Sequence, residues 1–239
     1  LVTIDSLRAD HLGCYGYDKP TSPTWDSVAD EGIVFEQNIA PGVWSLPCYA
    51  SMMTGVHIHT HRADADHEYV RRQFPTLAES LAEAGYQTCG IMRNTWGAGV
   101  VGLDRGFEVY VDSGFGEPPE VRGWDMPQID ASGSDLNVRR CEAWLDDRDE
   151  DRPFFLFANY LERRLEYRPP RRLAEQFLPA NAAVEAAMDV PQEPWAYLAG
   201  DVTLSESELQ LLRGLYRAEV AYVDEQLAAL RAALRAAGE

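Results

Sequence analysis

Lysine is nearly absent from this chain: of 21 basic residues in 239, only Lys19 is lysine and the other twenty are arginines. Basic residues as a whole are outnumbered by 39 acids, which leaves a net charge of −18. A field of that sign repels phosphate backbones and anionic headgroups, so neither nucleic acid nor a charged membrane surface is an expected partner. Long apolar runs are also missing. Nothing approaches the roughly 20 residues of a membrane span, and no basic, apolar, small-residue leader opens the chain. The four cysteines, Cys14, Cys48, Cys89 and Cys141, lack paired metal-type spacing and any dense disulfide framework; most of them read as small buried hydrophobes. These absences favour a cytoplasmic protein. The first residues, Leu1 to Asp5, read as a strand already under way with no Met before it, so a trimmed N-terminus is expected.

What is present suits a packed α/β domain. Apolar residues make up 46% of the chain, ample for one large core. Strand and helix signals alternate, the pattern of a parallel sheet covered by helices. Leu1 to Asp5, Ile33 to Phe35, Tyr86 to Met92 and Pro153 to Ala158 read as strands. Helices are expected over Pro23 to Gly32, Pro47 to Thr54, Thr76 to Ala84 and Leu136 to Leu145. A last helix opens with a capping box at Ser205 and Glu208. The stretch 97–134, rich in Gly and Pro, reads as loops, and 163–202, with Pro169-Pro170 and Pro191 as breakers, reads as irregular. Acidic runs such as Asp146 to Asp151 read as solvated faces. Acidity with almost no lysine resembles the proteins of salt-loving archaea, in which salt screens the repulsion between carboxylates.

The sharpest chemical segment is Trp44-Ser45-Leu46-Pro47-Cys48-Tyr49-Ala50-Ser51-Met52-Met53-Thr54-Gly55. It sets a hydroxyl just before a helix, where free N–H groups and the positive end of the helix dipole favour a tetrahedral anion. By residue type alone, Ser45 is either a nucleophile or an N-cap. His57, His59 and His61 follow at every second residue, and a surface loop explains them better than a metal site.

The Ser45 segment resembles the signature of sulfatases, enzymes of the alkaline-phosphatase-like superfamily. Ser45 falls on the residue that becomes formylglycine, Pro47 on the proline, Ala50 on the small residue and Thr54-Gly55 on the close. Tyr49 stands where the family has arginine, which argues that Ser45 stays serine. The opening Thr3-Ile4-Asp5-Ser6-Leu7-Arg8-Ala9-Asp10-His11-Leu12-Gly13-Cys14-Tyr15-Gly16 is similar to the family's first strand and loop. By that resemblance Asp5 binds a divalent cation, calcium before magnesium or zinc, with Ser45 as a second ligand. Arg8 and Asp10 read as a structural pair. Arg93-Asn94-Thr95-Trp96 replaces a Lys-Trp-His stretch, and Arg163-Arg164 replaces a Pro-His pair. Tyr49, Asn94 and Arg164 are thereby the candidate contacts to the substrate anion. Gly102-Leu103-Asp104-Arg105-Gly106-Phe107 resembles an architectural turn of the family.

The resemblance implies an alkaline-phosphatase-like, mostly parallel sheet flanked by helices, with residues 1–239 forming the N-terminal portion of one catalytic domain. No Asp-His-Gly or Asp-Asn-Gly occurs in the sequence, so the remaining metal ligands are expected downstream and the fold is expected to be C-terminally incomplete. The implied activity is hydrolysis of a small-molecule or carbohydrate sulfate ester. The alternatives are a phosphoesterase or phosphotransferase that uses unmodified Ser45, and a non-catalytic anion-binding homologue.

Overall fold

A computed structural model describes residues 1–116, 118–129, 133–161 and 165–238. It contains a five-stranded sheet with strand order β1-β5-β2-β3-β4. The strands are β1 (Val2–Ile4), β2 (Gln87–Met92), β3 (Val109–Asp112), β4 (Glu120–Arg122) and β5 (Phe154–Tyr160). β2 runs parallel to both β5 and β3, and β4 is antiparallel to its neighbour β3. The mixed, mostly parallel sheet with flanking helices is the alkaline-phosphatase-like architecture expected from the sequence.

Burial explains the central strand. Every residue of β2 is buried, as a strand covered on both faces requires. Its register pairs Gly90 with Tyr110, and a Cβ at Gly90 would lie 2.5 Å from the Tyr110 ring. Only glycine fits there.

The helices are α1 (Pro23–Glu31), α2 (Ser45–Thr54), α3 (Ile58–His61), α4 (Leu77–Glu83), α5 (Gly133–Asp147), α6 (Arg171–Phe177), α7 (Val184–Met188), α8 (Pro194–Ala199) and α9 (Glu206–Ala236). α4 begins with a capping box, in which Glu79 N–H donates to Thr76 Oγ1 and Thr76 N–H donates to Glu79 Oε2. Ser205 and Glu208 make the equivalent exchange at the start of α9.

The described residues fall into two compact units. One draws on Leu1–Thr3, Gln37–Leu161 and Ala233–Glu239, the other on Ile4–Glu36 and Glu162–Ala232. In the first, the inward face of α2 (Leu46, Tyr49, Ala50 and Met53) joins Met92, Phe107, Tyr110 and Phe157 in one buried cluster. Burying a side chain such as Leu46 contributes roughly 1.5–3 kcal/mol, so α2 is anchored by packing. In the second unit, Ala174, Val184 and Ala187 pack with Leu215 of α9.

Three expectations are corrected. Ile33 to Phe35 form no strand and are exposed; β propensity produces a strand only where a ladder partner is available. The stretch 97–134 holds β3, which pairs with β2 outside the stretch, and β4, which pairs with β3. The stretch 163–202 holds α6, α7 and α8, each too short to be stable without tertiary packing.

The turn at residues 102–107 is architectural, as its sequence suggests. Gly106 adopts φ +83°, and a Cβ there would collide with the Glu79 backbone. Thr76 Oγ1 donates to Arg105 O, and Thr88 Oγ1 donates to Gly106 O. Arg8 pairs with Asp10 at 2.6 Å on the surface.

Candidate active site at the start of helix α2

Ser45 is the first residue of α2, and the N-cap is Trp44, which makes no side-chain capping bond. The helix therefore starts two residues before the proline. Its first N–H groups are not capped by Trp44, so this end keeps its affinity for an anion.

Asn94 lies two residues past the carboxyl end of β2 and is 4% exposed. Its Nδ2 donates to Ser45 Oγ at 2.9 Å. Its Oδ1 accepts the Trp96 backbone N–H, also at 2.9 Å. Because the amide oxygen is held by a backbone donor, the orientation of the side chain is decided: the NH₂ faces Ser45. Ser45 Oγ is thus an acceptor toward Asn94, and a neutral donor stands where negative charge on that oxygen would develop. Trp44 and Trp96 meet edge to face beside this pair, with centroids 4.8 Å apart.

Tyr49, the residue in the arginine slot, is 5% exposed and belongs to the core. Its hydroxyl accepts from Asn159 Nδ2 at 2.7 Å. Asn159, at the carboxyl end of β5, also donates to Thr3 Oγ1 and accepts from Arg93 N–H and, at its carbonyl, from Asn137 Nδ2. This buried amide ties together the strand ends and α2. The sequence reading passed over it, and its one signal is an asparagine closing an otherwise apolar strand.

Two neighbouring groups are occupied elsewhere. Cys48 donates its thiol to Gly42 O. Ser51 Oγ lies 2.9 Å from His61 Nε2, but His61 Nδ1 accepts the Ala63 N–H. That fixes the proton on Nε2, so His61 donates to Ser51 and cannot act as its base. His61 is fully buried, and desolvation, the largest influence on it, lowers its pKa. The expected surface loop is here α3 with His57 as its N-cap, and of His57, His59 and His61 it is His61 that lies in the core.

Asp5 follows β1 directly and is partly buried. The next residue, Ser6, has φ 58°, a left-handed conformation that favours glycine. Tyr216 holds this turn: its hydroxyl donates to Ser6 O and accepts the Arg8 N–H. Asp5 belongs to the second compact unit, Ser45 and Asn94 to the first. Arg164 lies outside the described residues. Among the described residues, no three His, Cys, Asp or Glu side chains gather into a cluster able to hold a metal ion. Asp5 supplies one carboxylate, against the 6–8 oxygens that calcium takes. The described donors do not make up a complete cation site.

Residues 1–239, the whole chain, match the sulfatase family. The chain belongs to that family. It is 29% identical over 150 residues to human arylsulfatase D, covering 51% of this chain and 25% of the relative. It is 26% identical over 177 residues to N-acetylglucosamine-6-O-sulfatase of Bacteroides thetaiotaomicron, covering 71% and 31%. This sulfatase-family chain therefore spans about a quarter to a third of these curated relatives. A solved structure of a protein in complex with its substrate D-glucosamine-2-N,6-O-disulfate superposes with a TM-score of 0.73 at 20% identity, covering 100% of this chain and 62% of that one. Phosphonate monoester hydrolase of Agrobacterium radiobacter superposes with a TM-score of 0.72 at 18% identity, covering 99% and 59%. At these identities the two superpositions establish the fold.

Proposed function

We propose that this protein hydrolyses a sulfate ester of a small molecule or carbohydrate, with Ser45 as the attacking group. The observation that carries the reading is the Asn94–Ser45 hydrogen bond at the start of α2. Ser45 Oγ attacks sulfur, the S–O bond to the alcohol breaks, and the alcohol leaves with the proton that Ser45 gives up. Water then releases sulfate from the serine oxygen. Asn94 stabilises negative charge on Ser45 Oγ, and the α2 N-terminus favours the tetrahedral anion. Ser45 remains serine in this reading, because Tyr49 replaces the arginine of the family signature. Asp5 would supply one oxygen ligand to a divalent cation, which would polarise the sulfate oxygens, and Arg164, outside the described residues, would contact the anion.

The test compares aryl sulfate and aryl phosphate hydrolysis by the wild type and Ser45→Ala, with peptide mass spectrometry at residue 45. Sulfate turnover lost in Ser45→Ala, with an unmodified serine in the active protein, is the expected result. Turnover of the phosphate ester alone would replace the sulfatase reading with that of a phosphoesterase. An aldehyde at residue 45 would overturn the unmodified nucleophile.

A further inference from the structure

The second compact unit carries a cleft of about 570 Å³ beside helix α8, with Ser6, Tyr167, Gln192, Glu193 and Trp195 in its lining. That volume is within the size range of small-ligand sites. Part of the wall is set before any ligand arrives. Tyr216 donates its hydroxyl to Ser6 O at 3.0 Å and meets the Tyr167 ring edge to face, with centroids 5.6 Å apart. Gln192 is buried and its amide is spent on Tyr167: Oε1 accepts the backbone N–H at 2.7 Å and Nε2 donates to the carbonyl at 3.5 Å. Two groups stay open. Trp195 is 81% exposed, and a tryptophan that open to water forgoes a large burial term. Glu193 is exposed at the N-cap of α8, where its side chain makes no capping bond. The described lining residues include no lysine or arginine.

We propose that this cleft binds a quaternary ammonium cation, packed on the face of Trp195 with Tyr167 as a second aromatic wall and Glu193 as the counter-charge. The face of an aromatic ring carries negative potential and attracts such a cation, and a nearby carboxylate adds a full opposite charge. The absence of N–H groups on the ligand decides the class. A guanidinium brings five donors and a lysine ammonium three. With the Gln192 amide already paired, the side chains named leave only the Glu193 carboxylate and the Ser6 hydroxyl to accept them. An anion would meet Glu193 with no lining cation to offset it. The end of a six-residue helix adds only a weak, screened field, so the carboxylate sets the sign of the cleft. The net charge of −18 draws cations toward the surface as a whole. Every residue in this argument belongs to the second unit, and the inference stands apart from the sulfate-ester reading.

Ligand-observed NMR of the purified protein with tetramethylammonium chloride tests this, with sodium chloride lowered in step so that ionic strength stays constant. The uncharged near-isostere tert-butanol is the comparison ligand. Tetramethylammonium is expected to bind saturably, and about tenfold more tightly than tert-butanol. Trp195→Ala should weaken its binding by about the same factor, while Trp195→Phe, which keeps an aromatic face, retains most of it. Glu193→Gln should weaken it about threefold, as the loss of one exposed counter-charge predicts. Both side chains are exposed, so neither change removes a core contact, and matching melting curves check that the variants fold. Three results would each overturn the proposal: no saturable binding to the wild type, equal affinity for tert-butanol, or binding that is unchanged in Trp195→Ala or in Glu193→Gln.

Discussion

Tyr49 occupies the arginine position of the signature, and its hydroxyl accepts a 2.7 Å hydrogen bond from the buried amide of Asn159. The position therefore faces the core of α2 and the strand ends. Tyr49→Arg would bury a charge and is expected to cost about 3 kcal/mol or more. Tyr49→Phe removes one hydrogen bond and should cost about 1 kcal/mol. Urea unfolding measures both, and an arginine variant as stable as the wild type would show that this position is not part of the core.

Asn94 offers Ser45 an oriented neutral donor. Removing one such donor costs on the order of 10²-fold in other esterolytic sites, so Asn94→Ala should lower kcat/KM for a sulfate ester by about that factor. Asn94→Asp should be worse, since a carboxylate donates nothing and repels the anion. Steady-state kinetics of the two variants decides the matter: equal activity in all three proteins would remove Asn94 from the site.

His61 gives stability a pH dependence of known sign. Burial holds its folded pKa below the ordinary 6.5, so the unfolded chain binds the proton more readily. Its contribution is intact above pH 6.5 and is lost as pH falls from there toward the folded pKa. Nearby Asp64 opposes the shift and His59 reinforces it. Unfolding free energies between pH 7.5 and 5 should decline on the acid side, and His61→Gln should flatten that slope. A slope unaffected by the substitution would place the titrating group elsewhere.

Asp224 of α9 caps α1 from a distance. Its carboxylate accepts the backbone N–H of Thr24 at 2.9 Å and that of Trp25 at 3.0 Å, and Ser22, the N-cap by position, makes no side-chain capping bond. Asp224→Ala should destabilise the protein by about 1–3 kcal/mol. Burial, the strongest influence on this carboxyl, raises its pKa, so the neutral Asp224→Asn should cost less. Melting temperatures of the two variants in the reverse order would contradict the tertiary cap.

Salt acts on this surface in two opposed ways. Exposed pairs such as Arg152–Glu108 and Arg213–Glu206, both at 2.8 Å, weaken as salt rises, but each is worth only about 0–1 kcal/mol. The repulsion among 39 acids is relieved as the Debye length falls from roughly 30 Å at 0.01 M to about 3 Å at 1 M. Relief should prevail, with a melting temperature that climbs steadily into molar potassium chloride. A flat or falling melting temperature would mean that the paired arginines dominate.

The sequence by itself determined those features that rest on neighbours in the chain. Alternating strand and helix signals indicated the parallel α/β sheet, the capping box at Ser205 marked the start of the last helix, and the order of motifs around Asp5 and Ser45 pointed to the family. Only the tertiary structure decided what distant residues do to one another. β3 and β4 exist because of ladder partners, and α6 to α8 because packing holds helices too short to persist alone. The direction of the Asn94 amide toward Ser45 follows from the Trp96 N–H that holds its oxygen. Tyr49 is a core residue because Asn159, 110 positions away, meets its hydroxyl. Local propensity and motif spacing are written in consecutive residues, whereas burial and hydrogen-bond partnership are settled only when the folded chain brings remote groups together.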